Sequence, residues 1–337
     1  MNIYGDYINN IESAMGAASK AKMFGESRNS FDGYLQKGLT MENSYQRLKG
    51  ESLLPSLKGF ATDLSLNADF DQKLGLHPDF AHLKGTTNTE NHYIASVFID
   101  IKGSTNLFRR YTPETVLIIN DTIQKAAIHT CLIFNGYVHR LQGDGLFVYY
   151  GGKSISKDKA VNQALLSTSV FSYFVKNDLK RVFDQQGVDN ISTRIGIDLG
   201  HNKDVLWFDA GIGEISEITT CSLHTSLAPK MQSNAETNGI VIGDHVKDQV
   251  TSNYQDLITP VCKRTDDVND RYIFQIPDEN FRYTQYDFNW MKFLKRQEFI
   301  ATDFEGRLSF KNPKEKQIRV SEDIKPFAIQ STPYLDF

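Results

Sequence analysis

Apolar positions fall into three regimes along the chain. In the first, residues 1–91, helical spacing is broken by polar stretches. Asp6 stands where it can cap a helix whose apolar face carries Ile8, Ile11 and Met15. Residues 25–38 and 84–91 have the composition of loop or linker.

In the second, residues 92–277, strand and helix periods alternate. Residues 93–99 predict a buried strand. Thr112-Pro113-Glu114 starts a helix, with Thr as cap and Pro at the first helical position. Its inner face recurs at Val116, Ile119, Ile123, Ala127, Cys131 and Phe134, and Asn135-Gly136 supplies a left-handed stop. Residues 137–141 and 146–150 predict two short strands around the hairpin Gln142-Gly143-Asp144-Gly145. A long helix then runs through Val161, Ala164, Thr168, Phe171, Val175, Leu179 and Val182, followed by strands at 193–199 and 205–209. The order β-α-β-β-α-β predicts an α+β, ferredoxin-like core with both helices on one face of an antiparallel sheet. The third regime, residues 278–337, is an aromatic-rich additional segment expected to pack on its own domain or on a dimer partner.

Composition narrows the picture modestly. With 337 residues, 40% hydrophobic and 23% charged, the chain is that of an ordinary soluble protein able to bury a sizeable core. A formal net charge of -4 argues against a general nucleic-acid or anionic-membrane binder, and the basic run at 311–316 includes an acid and reads as solvated surface. No apolar run reaches membrane-span length, and residues 1–15 carry Asp6 and Glu12, unlike a signal peptide. Cys131, Cys221 and Cys262 are dispersed without zinc spacing, as expected of unpaired thiols in a reducing cytoplasm.

The chemistry concentrates in two acids. Asp100 ends the first strand, just before the turn Gly103-Ser104-Thr105, and Asp144 follows 44 positions later in the hairpin turn. Two carboxylates on neighbouring strands repel each other, at a cost on the order of 4 kcal/mol at ~4 Å and an effective dielectric of 20. A hard divalent cation relieves this, and such ions bind through one or two carboxylates together with substrate phosphates.

Phe98-Ile99-Asp100-Ile101-Lys102-Gly103-Ser104-Thr105, Gly143-Asp144-Gly145 and Arg194-Ile195-Gly196-Ile197-Asp198-Leu199-Gly200 together resemble the catalytic domain of class III nucleotidyl cyclases. The resemblance covers residues 92–277 and implies conversion of a nucleoside triphosphate to its 3′,5′-cyclic monophosphate by two-metal catalysis. It makes Asp100, Asp144 and the carbonyl of Ile101 the ligands of two Mg²⁺ or Mn²⁺ ions. The backbone of Gly103, Ser104 and Thr105, leading into a short helix at 106–109, and the side chain of Arg194 are then expected on the triphosphate. Aligning on Ala228-Pro229-Lys230-Met231 puts Ser226 and Lys230 where relatives carry a ribose-holding Asn and a catalytic Arg, and Lys263 or Arg264 at a late phosphate-binding position.

Arg140 and Thr219 fall at the base-choosing positions. Arginine cannot accept a hydrogen bond, which disfavours guanine. That departure, together with the additional N- and C-terminal segments, makes the chain resemble the pyrimidine cyclases of bacterial Pycsar antiphage systems, whose cyclic product activates a separate effector. Because Arg140 could donate to O4 of uracil, whereas cytosine presents an amino donor there, UTP is the expected substrate over CTP. The resemblance further implies a homodimer with shared active sites.

Other readings are weaker. Gly152-Lys153-Ser154 looks like part of a P-loop, but Phe147 occupies the position of its first glycine. The Gly-Gly-Asp-Glu-Phe turn of diguanylate cyclases is absent. His139 reads as a strand-surface histidine. An inactive cyclase-like nucleotide sensor is the alternative outside enzymology, opposed by the retention of both acids.

Overall fold

The computed structural model describes residues 2–23, 52–188 and 191–311. The predicted loop at 25–38 and most of the basic run at 311–316 lie outside them. Helix α1 (Gly5–Met23) buries Ile8, Ile11 and Met15 as its spacing predicts. Asp6 serves another helix instead of its own. Its carboxylate accepts from the Ser56 N–H at 2.7 Å, capping α2 (Pro55–Asp63), where Leu54 at the N-cap has no side-chain oxygen to offer.

The short strand β1 (Glu90–Asn91) leads into β2 (Ile94–Lys102), the centre of the molecule. Strand alternation divides β2 between two faces. Ala95, Val97, Ile99 and Ile101 enter the large core, while Ser96, Phe98 and Asp100 face the other way. Thr112 caps helix α3 (Pro113–Ile133) by accepting from the Thr115 N–H, and Asn135 takes up the left-handed conformation just beyond its end. Strands β3 (Gly136–Gln142) and β4 (Gly145–Tyr150) form the predicted hairpin. The predicted long helix comprises α4 (Lys157–Tyr173), a π-helical stretch (Phe174–Leu179) and α5 (Lys180–Gln186), stopped by Gly187 at φ 60°. Strand β5 (Ser192–Gly200) returns antiparallel to β2. The four core strands lie in the order β5-β2-β4-β3, the ferredoxin-like arrangement.

The remaining elements extend this core on both sides. β6 (Leu206–Ile212) and β7 (Ile215–Cys221) form a hairpin, joined by β1 into a three-stranded sheet. Trp207 stacks on Phe80 at 4.0 Å and meets Tyr149 edge-on, which fastens this sheet to the second face of β4. Helix α6 (Leu223–Asn234) lies across β2 and β5 on that same face, and β8 (Gly239–Gly243) pairs parallel to β5. Beyond β8 come α7 (Asp244–Gln249), β9 (Ile258–Pro260), α8 (Cys262–Thr265), β10 (Tyr272–Ile276) and β11 (Phe281–Phe288).

β11 sits between β8 and β10 and continues the central sheet. The division drawn at 277/278 therefore falls between two paired strands. Tyr283, Tyr286, Phe288, Trp290 and Phe293 are buried against the chain's own core, whereas Phe304 is 94% exposed. All three cysteines are free. Among the described residues no helix is long and apolar enough to cross a membrane.

Candidate active site

Asp100 lies opposite Arg194 in the β2–β5 ladder. Arg194 Nη2 donates to Asp100 Oδ2 at 2.9 Å, and Gln232 Nε2, near the end of α6, donates to the same oxygen at 2.9 Å. Asp144 occupies the β3–β4 turn, which Gly143 enables at φ 63° and Gln124 holds by donating to the Gly143 carbonyl at 3.0 Å. Gly145 then starts β4 directly beside β2. A Cβ there would stand 2.8 Å from the Ile99 carbonyl oxygen and 3.8 Å from Asp100 Cα, so glycine permits the close approach that sets Asp144 beside Asp100. The Ser104 hydroxyl donates to Asp144 Oδ2. Both acids are half-buried at the same end of adjacent strands.

With the Ile101 carbonyl, these acids make an all-oxygen donor set suited to a hard divalent cation. Cationic groups adjoin it. An open cleft of about 490 Å³ is lined by Lys102, Arg194, Ala235, Glu236 and Thr237. Arg194 Nε is buried there without a hydrogen-bond partner, a donor still to be satisfied. The surroundings fit the terminal phosphates of a nucleotide and its metal ions.

The turn after β2 differs in detail from expectation. Gly103 is left-handed at φ 98° and caps a 3₁₀ helix, Ser104–Arg109, in place of a short helix at 106–109. Thr105 is exposed, but the Ser104 side chain is buried and engaged with Asp144, so only its backbone is free to meet a phosphate. Ser226 and Lys230 are exposed one turn apart on α6, with Ser226 Oγ donating back to the Ser222 carbonyl at 3.1 Å. Arg264 is committed elsewhere. Its Nε donates to Asp287 at 2.9 Å and its Nη2 to the Asn234 carbonyl at 2.7 Å, bracing the end of α6 against β11.

Arg140 and Thr219 both lie where β3 faces β7, each against a different partner. The β3–β4 register shifts between Val138 and Arg140, and this bulge turns both His139 and Arg140 toward β7. Arg140 forms a two-pronged ion pair with Glu217, its Nε donating to Oε2 at 2.6 Å. Thr219 Oγ1 lies 3.3 Å from His139 Nε2. His139 is fully buried, correcting its assignment to the strand surface; burial, with Arg140 and His77 nearby, lowers its pKa to about 3 and keeps it neutral. Gln232 and Glu217 were not singled out from the sequence. Glu217 stands two positions from Thr219, so strand periodicity on β7 would have found it. Gln232 had no comparable signal.

No family model matches the chain. It is 34% identical over 251 residues to a cytidylate cyclase of Staphylococcus aureus, covering 74% of this chain and 59% of that protein. It is 33% identical over 237 residues to a cytidylate cyclase of Escherichia coli, covering 67% of this chain and 50% of the relative. The chain thus spans about half to three-fifths of the length of these curated relatives. Among solved structures, the adenylyl cyclase CyaB from P. aeruginosa aligns at a TM-score of 0.48 and 17% identity, over 60% of this chain and 95% of that one. The guanylyl cyclase Cya2 aligns at 0.46 and 14%, over 60% and 93%.

The names of the sequence relatives overturn the expectation of UTP. Arg140 is not an unaccompanied donor: its guanidinium faces a carboxylate, and the pair presents an acceptor as well. By sequence the chain is a relative of proteins named cytidylate cyclases, and its core is the ferredoxin-like arrangement described above.

Proposed function

We propose that this chain converts CTP to 3′,5′-cyclic CMP and pyrophosphate. The observation that carries the reading is the placement of Asp100 and Asp144 at one end of adjacent strands, with Arg194 alongside, in a chain whose sequence relatives are named cytidylate cyclases. Asp100, Asp144 and the Ile101 carbonyl would hold two Mg²⁺ or Mn²⁺ ions, which when bound neutralise triphosphate charge and acidify the ribose 3′-hydroxyl.

The chain's own groups do the rest. Arg194 and Lys102 bind phosphate oxygens, and the N–H groups of Gly103 to Thr105 meet the same anion. Ser104 and Gln232 fix the rotamers of Asp144 and Asp100. The 3′-oxygen, its proton released to water, bonds to the α-phosphorus; the bond from that phosphorus to the bridging oxygen breaks, and pyrophosphate departs on the opposite side. Lys230 offsets charge on the α-phosphate and Ser226 holds the ribose, each contributed across a twofold axis by a second copy of the chain. Glu217 accepts from the cytosine N4 amino group, Arg140 donates to N3 or O2, and Thr219 closes the base pocket. Arg264 keeps the end of α6 in place.

The test is incubation of the purified chain with each of the four nucleoside triphosphates and Mn²⁺, with cyclic products resolved by mass spectrometry. Cyclic CMP from CTP is expected, and Asp144→Ala should abolish it while leaving the protein folded. Cyclic product from another nucleotide in preference to CTP, or an Asp144→Ala variant with undiminished turnover, would refute the reading.

A further inference from the structure

Helix α6 has two ends, and the acids of the candidate active site meet only the one that carries Gln232. His224, eight residues earlier and so about 12 Å away along the helix axis, belongs to a second polar cluster at the other end of β5. One donor atom each from Asp204, His224 and His245 lies within 4.8 Å of the others. His224 Nδ1 is hydrogen-bonded to Asp198 Oδ2 at 2.9 Å, and Asp198, fully buried, also accepts from the Tyr283 hydroxyl at 2.6 Å. His245 Nδ1 is hydrogen-bonded to the Leu199 carbonyl at 2.9 Å. A carbonyl can only accept, so Nδ1 of His245 carries the proton and Nε2 keeps its lone pair. Asp198 holds the His224 ring through the corresponding nitrogen, Nδ1.

A carboxylate or backbone carbonyl behind each imidazole is the arrangement that orients metal-binding histidines. The third group supports it. Asp204 Oδ2 is buried without a hydrogen-bond partner, as is Nδ1 of His201, whose ring packs on His245 at 4.2 Å. His224 and His245 are themselves in contact, ring centroids 4.4 Å apart.

We infer that Asp204, His224 and His245 bind a Zn²⁺ ion, separate from the ions of the nucleotide site, with water in the fourth position. Two imidazoles and a carboxylate suit zinc and fit poorly with Mg²⁺ or Ca²⁺, which take oxygen ligands. Tetrahedral zinc needs its donors about 3.3 Å apart, so the side chains close in by roughly an ångström when the ion binds. The Asp204 carboxylate offsets part of its charge, with Asp198 behind His224. Bound there, zinc ties the loop after β5 and the start of α7 to the first turn of α6, the helix that carries Ser226, Lys230 and Gln232.

The untagged full chain, stripped with chelator, should take up one Zn²⁺ per chain in a calorimetric titration, and Mg²⁺ in excess should not displace it. Loaded with Co²⁺, it should show the intense visible absorption of a tetrahedral site. His245→Gln and Asp204→Asn should each weaken zinc binding at least tenfold; Asp204 ends a 3₁₀ turn beside the exposed Asn202 and Lys203, outside the sheet and its core, so its variant keeps the test informative should His245→Gln misfold. Asp100→Asn with Asp144→Asn should leave zinc uptake unchanged. Absence of stoichiometric zinc, wild-type affinity in Asp204→Asn, or loss of zinc in the Asp100/Asp144 variant would each overturn the assignment. None of these readouts depends on turnover.

Discussion

Replacing Gly196 with alanine should force α6 off the sheet. A Cβ at position 196 would stand 2.0 Å from the Ala228 carbonyl oxygen and 2.5 Å from the Gln232 nitrogen. Both are backbone atoms of α6, so no side-chain rotation relieves the clash. Ordinary contact needs about 3.5 Å, and the helix must retreat by roughly an ångström or more. Leu227, Ala228 and Met231 are fully buried on that face and lose packing as it moves. Overpacking typically costs about 1–3 kcal/mol, and with backbone on both sides of the contact we expect about 3.

The same shift displaces Gln232 from Asp100 and moves Ser226 and Lys230. Misplacement by about 1 Å can lower turnover on the order of 100-fold. Urea unfolding, followed through the buried Trp207 and Trp290, gives the first quantity, and cyclic nucleotide production in conditions where the variant remains folded gives the second. Stability within about 0.5 kcal/mol of wild type, the range of an inconsequential surface change, would show that α6 does not rest on Gly196 as described.

Two further outcomes follow from the site and the core. Glu217→Gln keeps the shape beside Arg140 but removes the charge; a hydrogen bond to a charged group contributes about 1.5–3 kcal/mol, so kcat/KM for CTP should fall roughly 10- to 100-fold relative to UTP, and an unaltered CTP:UTP ratio would take Glu217 out of the base pocket. Burial lowers the pKa of His77 and of His129 to about 4, and that of His139 to about 3. The unfolded chain binds protons at these histidines near pH 6.5 while the folded chain does not; stability should therefore be full above pH 6.5 and fall as pH drops toward 4. Urea midpoints across that range test this: His129→Gln, which keeps a polar partner for Tyr7, should give a shallower fall, and a midpoint independent of pH would contradict it.

Periodicity carried the core a long way. Strand and helix periods from 93 to 200 anticipated β2, α3, β3, β4, the long helix and β5 in the observed order, because each buries one regular face. The turn chemistry of Gly103 and Gly143 was also local, and it placed Asp100 and Asp144 at adjoining strand ends. Residues 281–288 were harder: their aromatic content foretold burial, but not that they form a strand of the central sheet, since the partner β8 lies some 40 residues earlier and pairing energy has no local signature.

The contact between β3 and β7 marks the same boundary more sharply. Arg140 and Thr219 were legible as residue types, but an uninterrupted strand would send His139 and Arg140 to opposite faces. One extra residue in β3 turns both toward β7 and puts Arg140 against Glu217, converting a lone donor into a donor–acceptor pair. A bulge depends on the register of two strands and the packing above them. Sequence alone determined which chemical groups were present and which element bore each of them; tertiary structure decided which carboxylate stood beside which cation, because that is a matter of strand register and contact between faces far apart in the chain.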